Sequence, residues 1–399
     1  MKPHSETSLR NRLKRLGGPG LFSVPISTSN LYTPEKRSVL RYLEEGFEKQ
    51  SDQEPALCAQ LADRLRRYHD SEYCVLFSTG FWALVSAIKL KALPGKSEVI
   101  IPSLTYRRLA DVVFWAGLTP VLVDIDPADL SISPQAIDRN IGAETGLILA
   151  VHPIVNCCDV SGILALSKRR GVPVVFDAVE SAHETVSGKR IGSFGVGEVF
   201  SLHASKLING LEGGYVCTND AAFAASLKIF RTGAVVTFPD ESHYGLNGLP
   251  HPGHAAFALA ALDELNKNID HNRTIYRAYQ KQLASLNGIR LLKFDEQEQT
   301  SYKNIVVEVQ DNFPINRDAL CNAMNSESIL ARKHYSPPLH QKTYSYSVAI
   351  REMQQTELAE ARYLNLPCGS RVTPQDVSTV CDFIAFAASE PEFFTSPAK

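Results

Sequence analysis

The chain has 399 residues, 44% of them hydrophobic and 21% charged, with a formal net charge of −2. That is enough polypeptide for a large core and two domains, with the composition of an ordinary soluble protein. The near-zero charge gives no basis for nucleic-acid or membrane binding, no apolar run reaches a membrane span, and the N-terminus lacks a hydrophobic signal core.

Residues 1–40 read as an N-terminal arm, irregular up to about Thr33 because of Gly17-Gly-Pro-Gly20, Pro25 and Ser27-Thr-Ser29. Its basic cluster, Arg10-Asn-Arg-Leu-Lys-Arg15, is expected to be a solvated, mobile terminus, with a partner-binding arm as the alternative. Helices are expected from Pro34 to about Lys49 and from Pro55 to about His69. Strand and helix patterns then alternate. Strands are expected at Cys74–Phe77, Glu98–Ile101, Val121–Asp124, Leu147–His152 and Pro173–Asp177, and helices at Phe81–Leu90, Arg108–Ala116 and Ile163–Arg170. Short apolar runs between helices imply a mostly parallel sheet covered on both faces.

Two more strands are expected at Glu198–Leu202 and Tyr215–Thr218. From Ala255 to Leu286 apolar residues recur at helical spacing, which predicts a long helix, straight or bent, stopped by Gly288. An alternating strand, Asn304–Val309, and a final helix from Pro374 to about Ala388 follow. The division expected is an arm over 1–40, a large domain over 41–254, and a linking helix with a small α+β domain over 255–399. The eight cysteines are scattered with no Cys-x-x-Cys spacing, which reads as reduced thiols in the cytoplasm; metal binding is unsupported.

Chemistry concentrates in two segments. Lys206 lies between the strand ending near Leu202 and the turn Leu211-Glu-Gly-Gly214, where a desolvated amine becomes a nucleophile toward an aldehyde. The alternative is a surface lysine beside a hairpin. Asp177 closes an apolar strand at its carboxyl end, where open α/β sheets bind ligands, although it equally suits a helix cap. A buried acid and a reactive lysine on nearby strands suit pyridoxal phosphate, whose aldehyde takes the lysine and whose ring nitrogen needs an acidic partner.

Several ordered motifs carry a family resemblance over nearly the whole chain from about Gly17. They are Ser201-Leu-His-Ala-Ser-Lys206, Leu211-Glu-Gly-Gly214, Phe176-Asp-Ala-Val-Glu180, Pro102-Ser-Leu-Thr-Tyr106 and Pro120-Val-Leu-Val-Asp-Ile125. The chain resembles the DegT-type pyridoxal-phosphate sugar aminotransferases, which implies the fold-type I transferase architecture, a mostly parallel mixed sheet with a smaller C-terminal α+β domain. The resemblance implies Lys206 as the Schiff-base lysine and Asp177 as the partner of the ring nitrogen. Tyr106 would stack on the ring, with a core aromatic as its alternative. Thr79-Gly80-Phe81 would hold the phosphate at a helix start; the family has Gly-Thr where this chain has Gly80-Phe81, so one hydroxyl is lost and Thr79 or Ser201 would replace it.

Asn247 matches an asparagine that reaches the partner subunit's cofactor phosphate, which implies a homodimer. The nearby family arginine is Leu249 here and a glutamine is His254, so an anion clamp is missing. Glu180 stands where relatives carry His, Gln or sometimes Glu, either touching substrate or as a solvated acid at a helix start. His183 and His203 are pocket candidates or structural histidines, and Trp82 either reshapes the pocket with Phe81 or packs on the core. Tyr335-Ser-Pro-Pro-Leu-His340 resembles a segment near the domain junction. The implied reaction moves an amino group from an amino acid, glutamate first, to a ketone on a nucleotide-linked sugar or related metabolite. A dehydratase or a cofactor-binding regulator is the alternative; the retained Lys206 argues against the first, and the intact Lys206–Asp177 pair against the second.

Overall fold

The computed structural model describes residues 9–48, 55–237 and 242–395; residues 1–8, 49–54, 238–241 and 396–399 of the segments above lie outside them. An eight-stranded sheet contains β1 (Tyr73–Phe77), β2 (Glu98–Pro102), β3 (Thr119–Val123), β4 (Thr145–Val151), β5 (Val174–Asp177), β6 (Glu198–Ser201) and β7 (Gly214–Thr218). The short strand Ala349–Ile350 completes it, giving the order Ala349–Ile350, β3, β2, β4, β5, β6, β7, β1. Every pairing is parallel except the two made by β7, with β6 and with β1. β1 therefore runs in the same direction as β5 and β6, and all three end at one edge of the sheet.

Both faces of this sheet are covered, which explains strands that are apolar at consecutive positions. Ile100, Ile148, Val174, Phe176 and Phe200 point into one core, and Val99, Ile101, Leu147, Val175 and Val199 into the other. A smaller antiparallel sheet holds β8 (Ile289–Leu291), β9 (Ile305–Val309), β10 (Arg332–Lys333) and β11 (Tyr363–Leu366), in the order β8-β9-β11-β10. No helix among the described residues is long and apolar enough to cross a membrane.

The long apolar repeat forms two helices, Pro252–Asp263 and Leu265–Leu283, bent at Glu264. The Glu264 carboxylate accepts Tyr32 Oη–H at 2.5 Å and Glu35 N–H at 2.9 Å, so the arm pins the bend. The basic N-terminal cluster is not a solvated tail. Leu9 and Leu13 are buried in the core of the smaller sheet, Lys14 and Arg15 donate their backbone N–H groups to the Glu327 carboxylate, and Ile26–Ser27 pairs with Ile329–Leu330. The two leucines, four residues apart, face inward while the charges between them stay outside.

Candidate active site

Topology brings the chemical residues to one sheet edge. Asp177 pairs in register with Val199, two residues before Ser201, and Gly214 pairs with both Ser201 and Phe77. After Phe77 the chain passes through Ser78 and Thr79 into the helix Gly80–Lys91, where Thr79 is the N-cap. Its Oγ1 accepts Trp82 N–H at 3.2 Å. The Gly80 and Phe81 N–H groups thus stand in the first helical turn, ahead of any intrahelical acceptor. Gly80 faces Ser201: a Cβ there would fall 2.9 Å from Ser201 Cβ and 3.1 Å from its Oγ. Helix N–H groups and hydroxyls thus come together where a side chain at Gly80 would collide, an arrangement with the donors an anion needs.

Asp177 is buried at the end of β5, its Oδ1 accepting Val179 N–H at 3.2 Å. Burial pushes its carboxyl up to about 6, against the downward pull of that bond and of the Lys206 charge. Lys206 follows β6, and its ammonium is paired with Glu180 Oε1. Burial pulls that amine's proton affinity down, but Glu180, with smaller help from Asp177 and Tyr106, holds it above its ordinary value.

Glu180 does not begin a helix and is not solvated. Its side chain is 13% exposed, and its second oxygen binds the ammonium of Lys303, whose side chain is 5% exposed. Burial alone would raise the Glu180 carboxyl; the charges of Lys206 and Lys303 overcome it and hold it well below the carboxylate range.

Lys303 and Asn304, whose Nδ2 donates to Glu180 Oε2 at 3.4 Å, carry no sequence signal beyond the start of an alternating strand. Tyr335 belongs to the segment expected near the domain junction. Its phenol is pushed well up by burial and by the charges of Glu180 and Asp177, so it lies within electrostatic range of both. Its segment docks on the end of β2, where Leu339 N–H donates to Ser103 O at 3.0 Å and His340 Nδ1 hydrogen-bonds Ser103 Oγ at 2.8 Å.

The remaining residues fall as follows. Tyr106 lies past β2, 43% exposed and within electrostatic range of Lys206. Phe81 packs under the Arg108 guanidinium at 4.8 Å, and Trp82 packs edge-on to Phe81 and Trp115. His183 is tied to Tyr68 Oη at 2.6 Å and to Arg190, a structural network in which burial keeps it neutral, down at about 4. His203 is exposed, its Nδ1 2.9 Å from Ser205 Oγ. Asn247 and Leu249 are exposed, with the Asn247 backbone bridged to Thr232. The residues fit pyridoxal phosphate: a helix start with the donors an anion needs, a buried acid and a half-buried lysine meet at one edge.

The DegT/DnrJ/EryC1/StrS aminotransferase family model matches residues 37–385. A dTDP-4-amino-4,6-dideoxy-D-glucose transaminase of Shigella dysenteriae is 27% identical over 314 residues, 78% of this chain and 85% of that protein. A GDP-perosamine synthase of Caulobacter vibrioides is 28% identical over 319 residues, with the same two shares. The solved structure of DesI in the presence of its TDP-sugar product superposes with a TM-score of 0.88 at 26% identity, covering 96% of this chain and 97% of DesI. Such neighbours have the fold-type I architecture of pyridoxal-phosphate enzymes, and the sequence homologues are sugar aminotransferases. With its family match spanning nearly the whole chain and its lysine and acid at the matching motifs, this protein belongs to the DegT/DnrJ/EryC1/StrS aminotransferase family and is a pyridoxal-phosphate-dependent aminotransferase.

Proposed function

We propose that this enzyme takes an amino group from an amino acid, glutamate first, and delivers it to the ketone of a nucleotide-linked keto-sugar or related secondary-metabolite ketone, with Lys206 and Asp177 as catalytic residues. The convergence of Lys206, Asp177 and the Gly80 helix start on one sheet edge is the observation that carries this reading. Pyridoxal phosphate, when bound, supplies an aldehyde for the amine and a ring that withdraws electrons from the reacting carbon.

Asp177 holds a proton at the ring nitrogen, because a buried carboxylate strongly favours a cationic partner over isolation. Lys206 Nζ takes the proton from the donor's α-carbon and returns one to the carbon being aminated, so it must reach both. The Gly80 and Phe81 N–H groups, with the Thr79 and Ser201 hydroxyls, bind the phosphate. Tyr106 covers a ring face, and Glu180 orients the Lys206 amine. Asn247, exposed on its own subunit, completes the phosphate site of a partner in a homodimer. Leu249, in place of an arginine, leaves the acceptor pocket without that fixed cation, which suits a neutral reacting carbon with any diphosphate tail bound elsewhere. Residues 41–254 then form the cofactor domain and 255–399 the linking helix and smaller domain, of a cytoplasmic enzyme.

The test is a pair of half-reactions followed by absorbance and product mass spectrometry. Glutamate should convert the cofactor to its pyridoxamine form, and a keto-sugar should restore it. Borohydride reduction and peptide mapping should find the pyridoxyl group on Lys206, and Lys206→Ala should stay folded without turnover. If no amino acid yields the pyridoxamine form while substrate is still consumed, the transamination reading fails.

A further inference from the structure

Two lysines share one carboxylate in this site: Glu180 Oε1 binds the Lys206 ammonium and Oε2 the Lys303 ammonium. Lys303, at the entry to β9, is more deeply buried than either partner. Lysines are rarely enclosed so fully, because a buried ammonium is costly unless paired, and an apolar chain of equal volume fills such a space without that cost. Glu180 already has one counter-ion in Lys206, so charge balance alone does not call for a second.

We propose that Lys303 is a positioning residue acting through Glu180: by occupying half of that carboxylate it weakens the hold of Glu180 on the Lys206 ammonium, so that the proton Lys206 must lose to solvent before its amine meets the cofactor aldehyde leaves more easily than from a one-to-one pair. The proposal rests on Lys206 being the cofactor-binding lysine. In a one-to-one Lys206–Glu180 pair, loss of the Lys206 proton strands a buried carboxylate, a state that burial disfavours. With Lys303 present the same loss leaves the neutral pair Glu180–Lys303, and no charge is stranded. The second cation also opposes the Lys206 ammonium directly, as one lysine activates another elsewhere in chemistry of this kind.

Other titratable groups face this cluster. Asp177 and Tyr106 stand near Lys206, and Tyr335, His334 and Cys368 near Glu180. Burial keeps His334 neutral, down at about 4, and raises the Tyr335 phenol and the Cys368 thiol, so these three carry no charge near neutral pH.

The proton affinity of Lys206 can be read in cofactor-free protein by competitive labelling with trace acetic anhydride across a pH series, with peptide mass spectrometry. Lys303→Met should move the Lys206 titration upward by roughly one pH unit, and Lys303→Arg should restore it. An unchanged titration in folded Lys303→Met overturns the proposal. Should that variant not fold, Lys303→Gln takes its place, an amide that can still hydrogen-bond Glu180 but brings no second charge. Lys206 should titrate higher in it than in wild type, and equal titrations overturn the proposal. Borohydride mapping reports separately whether Lys206 holds the cofactor, so a label found elsewhere removes that assignment without altering the titration result.

Discussion

Gly214 and Gly80 meet backbone to backbone: a Cβ on Gly214 would fall 2.5 Å from both N and Cα of Gly80 and 2.7 Å from the Thr79 carbonyl carbon. Gly214 begins β7 and Gly80 opens the helix after β1, so this contact sets how closely the helix start approaches the sheet edge. Backbone has no flexible end to move aside. Gly214→Ala must push the helix start away, at about 1–3 kcal/mol as for other overpacked sites. We expect a lower melting temperature together with weaker pyridoxal phosphate binding, followed by absorbance. A variant that melts earlier but binds the cofactor as tightly as wild type would separate this contact from the phosphate cradle.

Three residues earlier, Leu211 holds a φ of +66°. A side chain in that left-handed region costs about 1–2 kcal/mol. Two bonds keep it there: Leu211 N–H donates to Asn209 Oδ1 at 2.7 Å, and Ala204 N–H donates to Leu211 O at 2.9 Å. Leu211→Gly should therefore be more stable than Leu211→Ala by about 1 kcal/mol, since both lose the side chain and only glycine escapes the strain. Denaturant midpoints of the two variants decide it; equal midpoints mean that the strain is negligible.

The fold was legible where periodicity was strong. β1 to β7 were each expected within a residue or two of their bounds, because strands buried on both faces read as continuous apolar runs. Helices at Pro134–Asn140, Ala221–Phe230, Arg317–Ser326 and Gln354–Arg362 were among those that escaped, although Ser133, Asp220 and Asn316 cap the first turns of the first three. A lone cap is too common a signal without an apolar stripe behind it. The arm was misjudged because charge hid Leu9 and Leu13, whose partners lie on the smaller sheet. Lys206 and Asp177 were legible because each sits beside a strand end; Lys303 was not, because its meaning comes from Glu180, 123 residues away.

Asn247 is exposed, and its segment is held to the chain by backbone bonds, Ser78 N–H to Gly248 O at 2.8 Å among them. An exposed asparagine on a fixed segment suits a contact across a subunit interface. Lys206→Ala and Asn247→Asp proteins should each be inactive. Mixed and allowed to exchange subunits, they should recover a fraction of wild-type activity, because a hybrid holds one site with both changes and one with neither. Sedimentation that finds a fully active monomer, or mixing that restores nothing despite exchange, would exclude a shared site.

Asp177 couples stability to function in opposite directions. Its carboxyl, pushed up to about 6 by burial, compares with an ordinary value of 3.8. Below about pH 4 it is protonated in both the folded and unfolded chains and costs nothing. As pH rises toward 6 the unfolded chain ionises first, so cofactor-free protein loses stability, by about 3 kcal/mol once the folded carboxyl has also ionised. Asparagine cannot ionise. The melting temperature of Asp177→Asn relative to wild type should therefore climb between pH 4 and 7 and level off above it. The same variant should bind cofactor yet lose orders of magnitude in turnover, because a neutral amide cannot hold the ring nitrogen protonated. A melting difference that stays flat with pH would mean that Asp177 is ionised and compensated without cofactor, and near-wild-type turnover would remove it from the mechanism.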